Sequence, residues 1–159
     1  MASKKKILIT GSGGFIFSNF IRYILHEHKS FNIASVDRVQ KQKAMQNVYI
    51  NKDHEFYIGD LSDKHLLDVI FEVEKPDIVI HGIHDKDNLV SEFSNTKNII
   101  DKCLEYNSRL IYLSDYGVYG CQNSEDEQPF IESNPCNPKE INDSVKSACE
   151  ILINSSANY

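Results

Sequence analysis

Five short apolar runs, each followed by a stretch of helical periodicity, leave this chain one kind of sheet to form. The runs are Lys6–Thr10, Asn32–Asp37, Glu55–Ile58, Asp77–His81 and Arg109–Leu113. Between them apolar residues recur at helix spacing. Ile16, Phe20, Ile21, Ile24 and Leu25 predict a helix from Phe15 to about His28. Leu66, Leu67, Ile70 and Val73 predict a second, capped by Asp63 and stopped by Pro76. A third runs from about Asn88 to Tyr106, with Leu89, Phe93, Ile100, Cys103 and Leu104 on its inner side. A last helix from Glu140 to about Asn154 turns Ile141, Val145, Ala148 and Leu152 inward. Residues 38–52 and 122–139 are polar and irregular.

Strands that alternate with helices are joined by crossovers, so they run parallel and are covered on both faces. Right-handed crossovers then predict a doubly wound, Rossmann-like α/β sheet in the order 3-2-1-4-5. The 159 residues suit one domain, taken as 1–159. Ligands of such sheets sit at the carboxyl ends of the strands, where the winding reverses. One crevice should therefore collect Gly11–Gly14, Asp37, Asp60, His81–Ile83 and Ser114–Tyr116.

The first strand end reads GSGGFIFSNF, Gly11 to Phe20. Gly11 would make a tight turn, and Gly14 would let a pyrophosphate approach the following helix N-terminus, with its N–H donors and positive dipole. Asp37, at the end of strand two, is placed to accept from ribose hydroxyls; Arg38 beside it could instead meet a 2′-phosphate. Phe17 stands where a third glycine normally lets helix and strand pack closely. Its ring must push the helix out, overpack the interface or enter the pocket.

Charge narrows the partners. The chain carries 17 Lys/Arg against 23 Asp/Glu, net −6, which argues against nucleic acid. Residues 1–50 hold eight basic and two acidic residues, which fits either a phosphate-bearing ligand or a solvated basic surface. No stretch approaches the ~20 apolar residues of a membrane span. Cys103, Cys121, Cys136 and Cys149 have no metal-ligand spacing and read as reduced thiols of a cytoplasmic protein. His81-x-x-His84 lacks a partner cluster, so no metal is expected.

Taken together, ILITGSGGFIFSNFIRYIL, SVD at 35–37, GDLSD at 59–63, KPDIVIHGI at 75–83 and RLIYLSDYGVYG at 109–120 resemble the extended short-chain dehydrogenase/reductases. They are closest to the nucleotide-sugar epimerases and 4,6-dehydratases. The resemblance implies an NAD cofactor held by Gly11, Gly14, Phe15, Ile16, Asp37, Arg38, Asp60, Leu61, Gly82 and Ile83, with Lys146 on the nicotinamide ribose. It implies vestigial catalytic places at Ser114, Asp115, Tyr116 and Lys146.

The departures define the expectation of function. In the family a Y-x-x-x-K pair supplies the acid/base tyrosine; here the segment is NDSVK, so Asn142 replaces it and cannot transfer that proton. The chain ends 13 residues after Lys146, where the family continues into a sugar-nucleotide lobe. Three readings stand. The first is a catalytically incomplete relative with weak or lost NAD binding. The second is the cofactor domain of a working dehydratase, with Asp115 or Tyr116 in the tyrosine's role. The third is a sensing or pairing module, meeting a nucleotide-sugar only with a partner. The helices after strands four and five would then form a dimer seam, with Ile99 and Ile151 as candidates.

Overall fold

The computed structural model describes residues 4–38, 51–82, 88–120 and 129–157. The elements are β1 (Lys5–Thr10), α1 (Phe15–Glu27), β2 (Phe31–Asp37), β3 (His54–Ile58), α2 (Lys64–Glu74), β4 (Ile78–His81), α3 (Leu89–Tyr106), β5 (Arg109–Tyr112), a 3-10 turn (Tyr116–Tyr119) and α4 (Ile141–Ser156). The strands form one parallel sheet in the order β3-β2-β1-β4-β5, as the alternation predicts. Register brings Tyr57, Val36, Thr10, His81 and Tyr112 into one row at the carboxyl ends. The residues that follow them open onto the crevice side.

Alternation along each strand splits the core into two layers. Ile7, Ile9 and Ile33 face α1, where Phe17, Ile21, Ile24 and Leu25 cover them. Leu8, Ala34, Val36 and Val79 face the other way, against Leu67, Ile70 and Phe71 of α2 and Ile99 and Cys103 of α3. Helix ends follow their local chemistry. The Asp63 side chain accepts from the Leu66 N–H at 3.1 Å, and that of Asn88 from the Ser91 N–H at 3.0 Å. Both α2 and α3 end on left-handed residues, Lys75 at φ 44° and Asn107 at φ 54°. Asparagine tolerates that conformation; lysine enters it at a cost, and Pro76 follows it.

Every helix face differs somewhere from the sequence expectation: Ile16 at the start of α1 and Val73 near the end of α2 are exposed, and α3 and α4 depart further. On α3, Phe93 and Leu104 point outward, and the buried face is Glu92, Asn95, Thr96, Ile99, Ile100 and Cys103. Three of those six are polar, so a stripe drawn through apolar residues alone is rotated off the true interface. Ile99 is fully buried in the core and is not available for a seam. On α4, Ile141 is exposed, Val145, Ala148 and Leu152 are half-buried, and the fully buried residues are Lys146, Ser147 and Cys149. Ile151 is exposed, as its off-stripe position predicts.

Candidate functional site

Gly11 adopts φ 79°, a conformation that an L side chain rarely takes. Its N–H continues the sheet to the Val36 carbonyl at 3.0 Å, and its own carbonyl accepts from the Gly14 N–H at 3.2 Å. A Cβ on Gly14 would sit 3.3 Å from that carbonyl oxygen. The turn thus closes on itself and delivers the chain to α1, whose N-cap is Gly14 and which has no side-chain cap and no acidic residue in its first turn. Helix donors there are left for an external acceptor. The Ser12 Oγ is buried in the same turn with no hydrogen-bond partner among the described residues. Phe15 and Ile16 are exposed at the rim.

Asp37 ends β2 beside this turn. Its Oδ2 accepts from the Gly13 N–H at 2.6 Å, tying the second strand end to the first. Burial pushes the Asp37 carboxyl above its ordinary range, against the pull of the Gly13 N–H and of Arg38. Arg38 turns away to Asp60, 3.3 Å from its Oδ2. Asp60 also caps its own turn through the Ser62 N–H. Leu61 is a core residue, with its side chain in the α2–α3 layer and its carbonyl held by Asn98.

Phe17 packs into the core instead of standing in the open crevice. It lies in the α1 layer, 6% exposed, and the room for its ring comes from the residue that follows β4. A Cβ built on Gly82 would stand 2.2 Å from Phe17 Cε2 and 2.6 Å from Cζ. In this chain the glycine that gives the ring its room is at the strand end, Gly82. Ile83 and His84 lie outside the described residues.

At the β4–β5 end the groups are side chains. His81 is fully buried between Thr10, 2.6 Å from its Nδ1, and Thr96, 3.1 Å from its Nε2. Thr96 Oγ1 donates to the Glu92 carbonyl, so it accepts from His81, which places the ring proton on Nε2 and makes Nδ1 an acceptor from Thr10. Burial and the nearby Lys146 charge depress the His81 pKa to about 3, so the ring is neutral. Beyond β5, the Ser114 Oγ is buried without a hydrogen-bond partner among the described residues. The Asp115 carboxylate accepts from the Gly117 N–H at 3.0 Å and caps the 3-10 turn. Tyr116 is 76% exposed. Asn142 is half-buried on the first turn of α4, and Asp143 next to it packs its carboxylate on Gly117.

Lys146 is not a surface residue. Its Nζ lies 3.0 Å from Glu92 Oε1 and 5.0 Å from the centroid of the Tyr112 ring. Glu92, Thr96 and Asp143 escape a reading of the sequence because no local motif marks them. The i, i+4 spacing of Glu92 and Thr96 was the one available signal.

A parallel doubly wound sheet with an uncapped, glycine-led helix at the first strand end defines the dinucleotide-binding class of α/β folds. The chain belongs to the NAD dependent epimerase/dehydratase family, whose model matches residues 7–158. It is 30% identical to the dTDP-D-glucose 4,6-dehydratase of Mus musculus over 95% of this chain and 46% of that protein. The enzyme of that name from Dictyostelium discoideum is 32% identical over 88% of this chain and 34% of its own length. Among solved structures, dTDP-glucose 4,6-dehydratase from Bacillus anthracis, in complex with NAD, superposes with a TM-score of 0.87 at 19% identity, over 97% of this chain and 51% of that one. UDP-glucose 4-epimerase from Thermus thermophilus, a complex with NAD, gives 0.80 at 25% identity over 96% and 51%. The chain spans about half the length of these relatives or less. No described helix is long and apolar enough to cross a membrane.

Proposed function

We propose that residues 1–159 form one NAD-binding domain, related to nucleotide-sugar 4,6-dehydratases and epimerases, that does not run the sugar chemistry by itself. The observation that carries the binding half of this reading is the α1 N-terminus: a left-handed Gly11, an uncapped helix start at Gly14 and a buried Ser12 Oγ with no partner among the described residues. A pyrophosphate would satisfy those donors, with Gly11, Gly14, Phe15 and Ile16 around it. Asp37 supports NAD over NADP. Its carboxylate, which accepts from the Gly13 N–H, can also accept from a ribose diol, whereas a 2′-phosphate would meet a like charge. With its ring packed in the α1 layer, Phe17 does not obstruct the turn.

NAD, when bound, would supply hydride chemistry; the groups that must move the accompanying proton are deficient. Asn142 has no titratable proton. The Asp115 carboxylate caps a turn, and Tyr116 faces solvent. Lys146 is engaged with Glu92. A cytoplasmic, reducing setting fits the free thiols of Cys103, Cys136 and Cys149.

A second reading, pairing with another copy or with a full-length homologue, is favoured by Val90, Phe93 and Leu104 of α3 and Ile141 and Ile151 of α4, all exposed apolar side chains. A nucleotide-sugar would then be met only in the pair.

Calorimetric titration with NAD⁺, NADH and NADPH tests the binding half. Micromolar NAD⁺ binding with weaker NADPH is expected, and no binding at millimolar cofactor defeats it. Incubation with dTDP-glucose or UDP-glucose tests the other half: turnover by this chain alone would make it the cofactor domain of a working enzyme.

A further inference from the structure

The Lys146 and Glu92 side chains are 6% and 1% exposed and come from different helices. Besides the 3.0 Å ion pair, the Lys146 Nζ donates to the Leu113 carbonyl at 3.5 Å and lies over the Tyr112 ring. Carboxylate, carbonyl and ring together hold the ammonium at the junction of α3, α4 and the end of β5. Glu92 is itself fixed on a regular turn of α3. Its N–H donates to the Asn88 carbonyl at 3.2 Å, and its carbonyl accepts from the Thr96 hydroxyl at 2.9 Å. A buried carboxylate holds a buried ammonium far more firmly than it would at the surface, because little solvent screens the pair and leaving either charge alone is costly.

We propose that Glu92 is a positioning residue that latches Lys146 inside the α3–α4–β5 junction and withholds its ammonium from a dinucleotide in the crevice. The proposal rests on the reading of the crevice given above. A ribose hydroxyl offers Lys146 one hydrogen bond to a neutral acceptor; Glu92 offers a full opposite charge in a dry setting. The carboxylate therefore keeps the lysine, and cofactor binding relies on the glycine turn and Asp37 alone. Neutralising Glu92 without changing its shape should release the lysine.

Two readouts test this on the whole chain. Limited acylation with an amine-reactive reagent, read by mass spectrometry, should modify Lys146 about tenfold more slowly than Lys97, whose side chain is 51% exposed. In Glu92→Gln that protection should fall away. Calorimetry should show Glu92→Gln binding NAD⁺ about tenfold more tightly than the parent, the scale of one charge-assisted hydrogen bond. Glu92→Gln/Lys146→Met should lose that gain. A Lys146 that reacts as fast as Lys97 in the parent chain overturns the latch, and so does a folded Glu92→Gln whose NAD⁺ affinity is unchanged or weaker. If no variant binds NAD⁺, the functional reading fails while the acylation contrast still decides the latch. If Glu92→Gln does not fold, Glu92→Leu/Lys146→Met removes both charges. Parental NAD⁺ affinity in that variant supports the latch, and weakened binding overturns it.

Discussion

The two ends of the crevice are made of different materials. Around the glycine turn the working groups are almost all backbone: the N–H groups that open α1, the Gly11 carbonyl that holds Gly14, and the Gly13 N–H bonded to Asp37. At the ends of β4 and β5 they are side chains, and these are occupied with one another: Thr10 with His81, His81 with Thr96, Lys146 with Glu92. A site built from backbone tolerates exchange of neighbouring side chains as long as the turn keeps its shape, and Phe17 is such an exchange. A site built from side chains changes its chemistry with a single replacement, and on the proposed reading Asn142, which stands where the family resemblance expects a tyrosine, is such a replacement. The same sheet can therefore present backbone donors at one end while His81 and Lys146 at the other are buried among their own partners.

The sharpest way to break this contrast is at the joint between the two ends, where Phe17 meets Gly82. Phe17→Ala should destabilise the fold by ~3–5 kcal/mol, as for other buried aromatic truncations. Gly82→Ala drives a methyl into a ring 2.2 Å away and should cost ~1–3 kcal/mol by overpacking. In urea unfolding the two costs should not add, because Phe17→Ala removes the atoms that the new methyl strikes. Additive costs would mean that the ring has other room and does not depend on Gly82.

Acid should strike the β4–β5 end first. The folded His81 pKa, near 3, lies below its unfolded value of about 6.5, so the unfolded chain binds the extra proton between those limits. Stability is then complete above pH ~6.5 and falls as pH drops, with a slope of up to about 1.4 kcal/mol per pH unit from this group. Thermal melts from pH 7 to pH 4 should show the loss, and His81→Gln should flatten it. A slope unchanged by that substitution would assign the acid sensitivity elsewhere.

Element order, strand order and the glycine turn were legible because each is local. Apolar period, a capping Asp63, a stopping Pro76 and closely spaced glycines are written within a few residues of one another. The contacts between distant residues were not. Nothing near Phe17 announces that Gly82 makes room for it, and nothing near Lys146 announces Glu92. The inner face of α3 was misread because Glu92, Asn95 and Thr96 are polar yet buried, and the expectation for such residues is exposure. The structure resolves these cases by supplying partners that no spacing rule contains, such as the His81 ring for Thr96.

At the glycine end, Asp37→Asn should weaken NAD⁺ binding about tenfold, the worth of one hydrogen bond to a charged acceptor. The fold should change little, since the amide oxygen can still accept from the Gly13 N–H. Calorimetry on the variant checks it. Unchanged affinity would leave the ribose recognised by something other than this carboxylate.

The smallest effect sharpens the comparison most finely, because it separates backbone from side chain within the glycine end. Arg38 is held by Asp60 at 3.3 Å, with both side chains about a third exposed. A pair so open to water contributes at most ~1 kcal/mol to stability, so Asp60→Asn should scarcely shift the melting temperature. It should nevertheless loosen the guanidinium beside Asp37. Arg38 has a planar fork of donors suited to a phosphate, and NADPH affinity should rise by about threefold to tenfold relative to NAD⁺. Any contact that Asp60 itself makes to the cofactor would be lost to NAD⁺ and NADPH alike, so the ratio of the two affinities reports on Arg38. If both cofactors gain equally, Arg38 acts as a general positive charge on the crevice. If neither changes, the Asp37 carboxylate alone sets the preference and the arginine belongs to the fold.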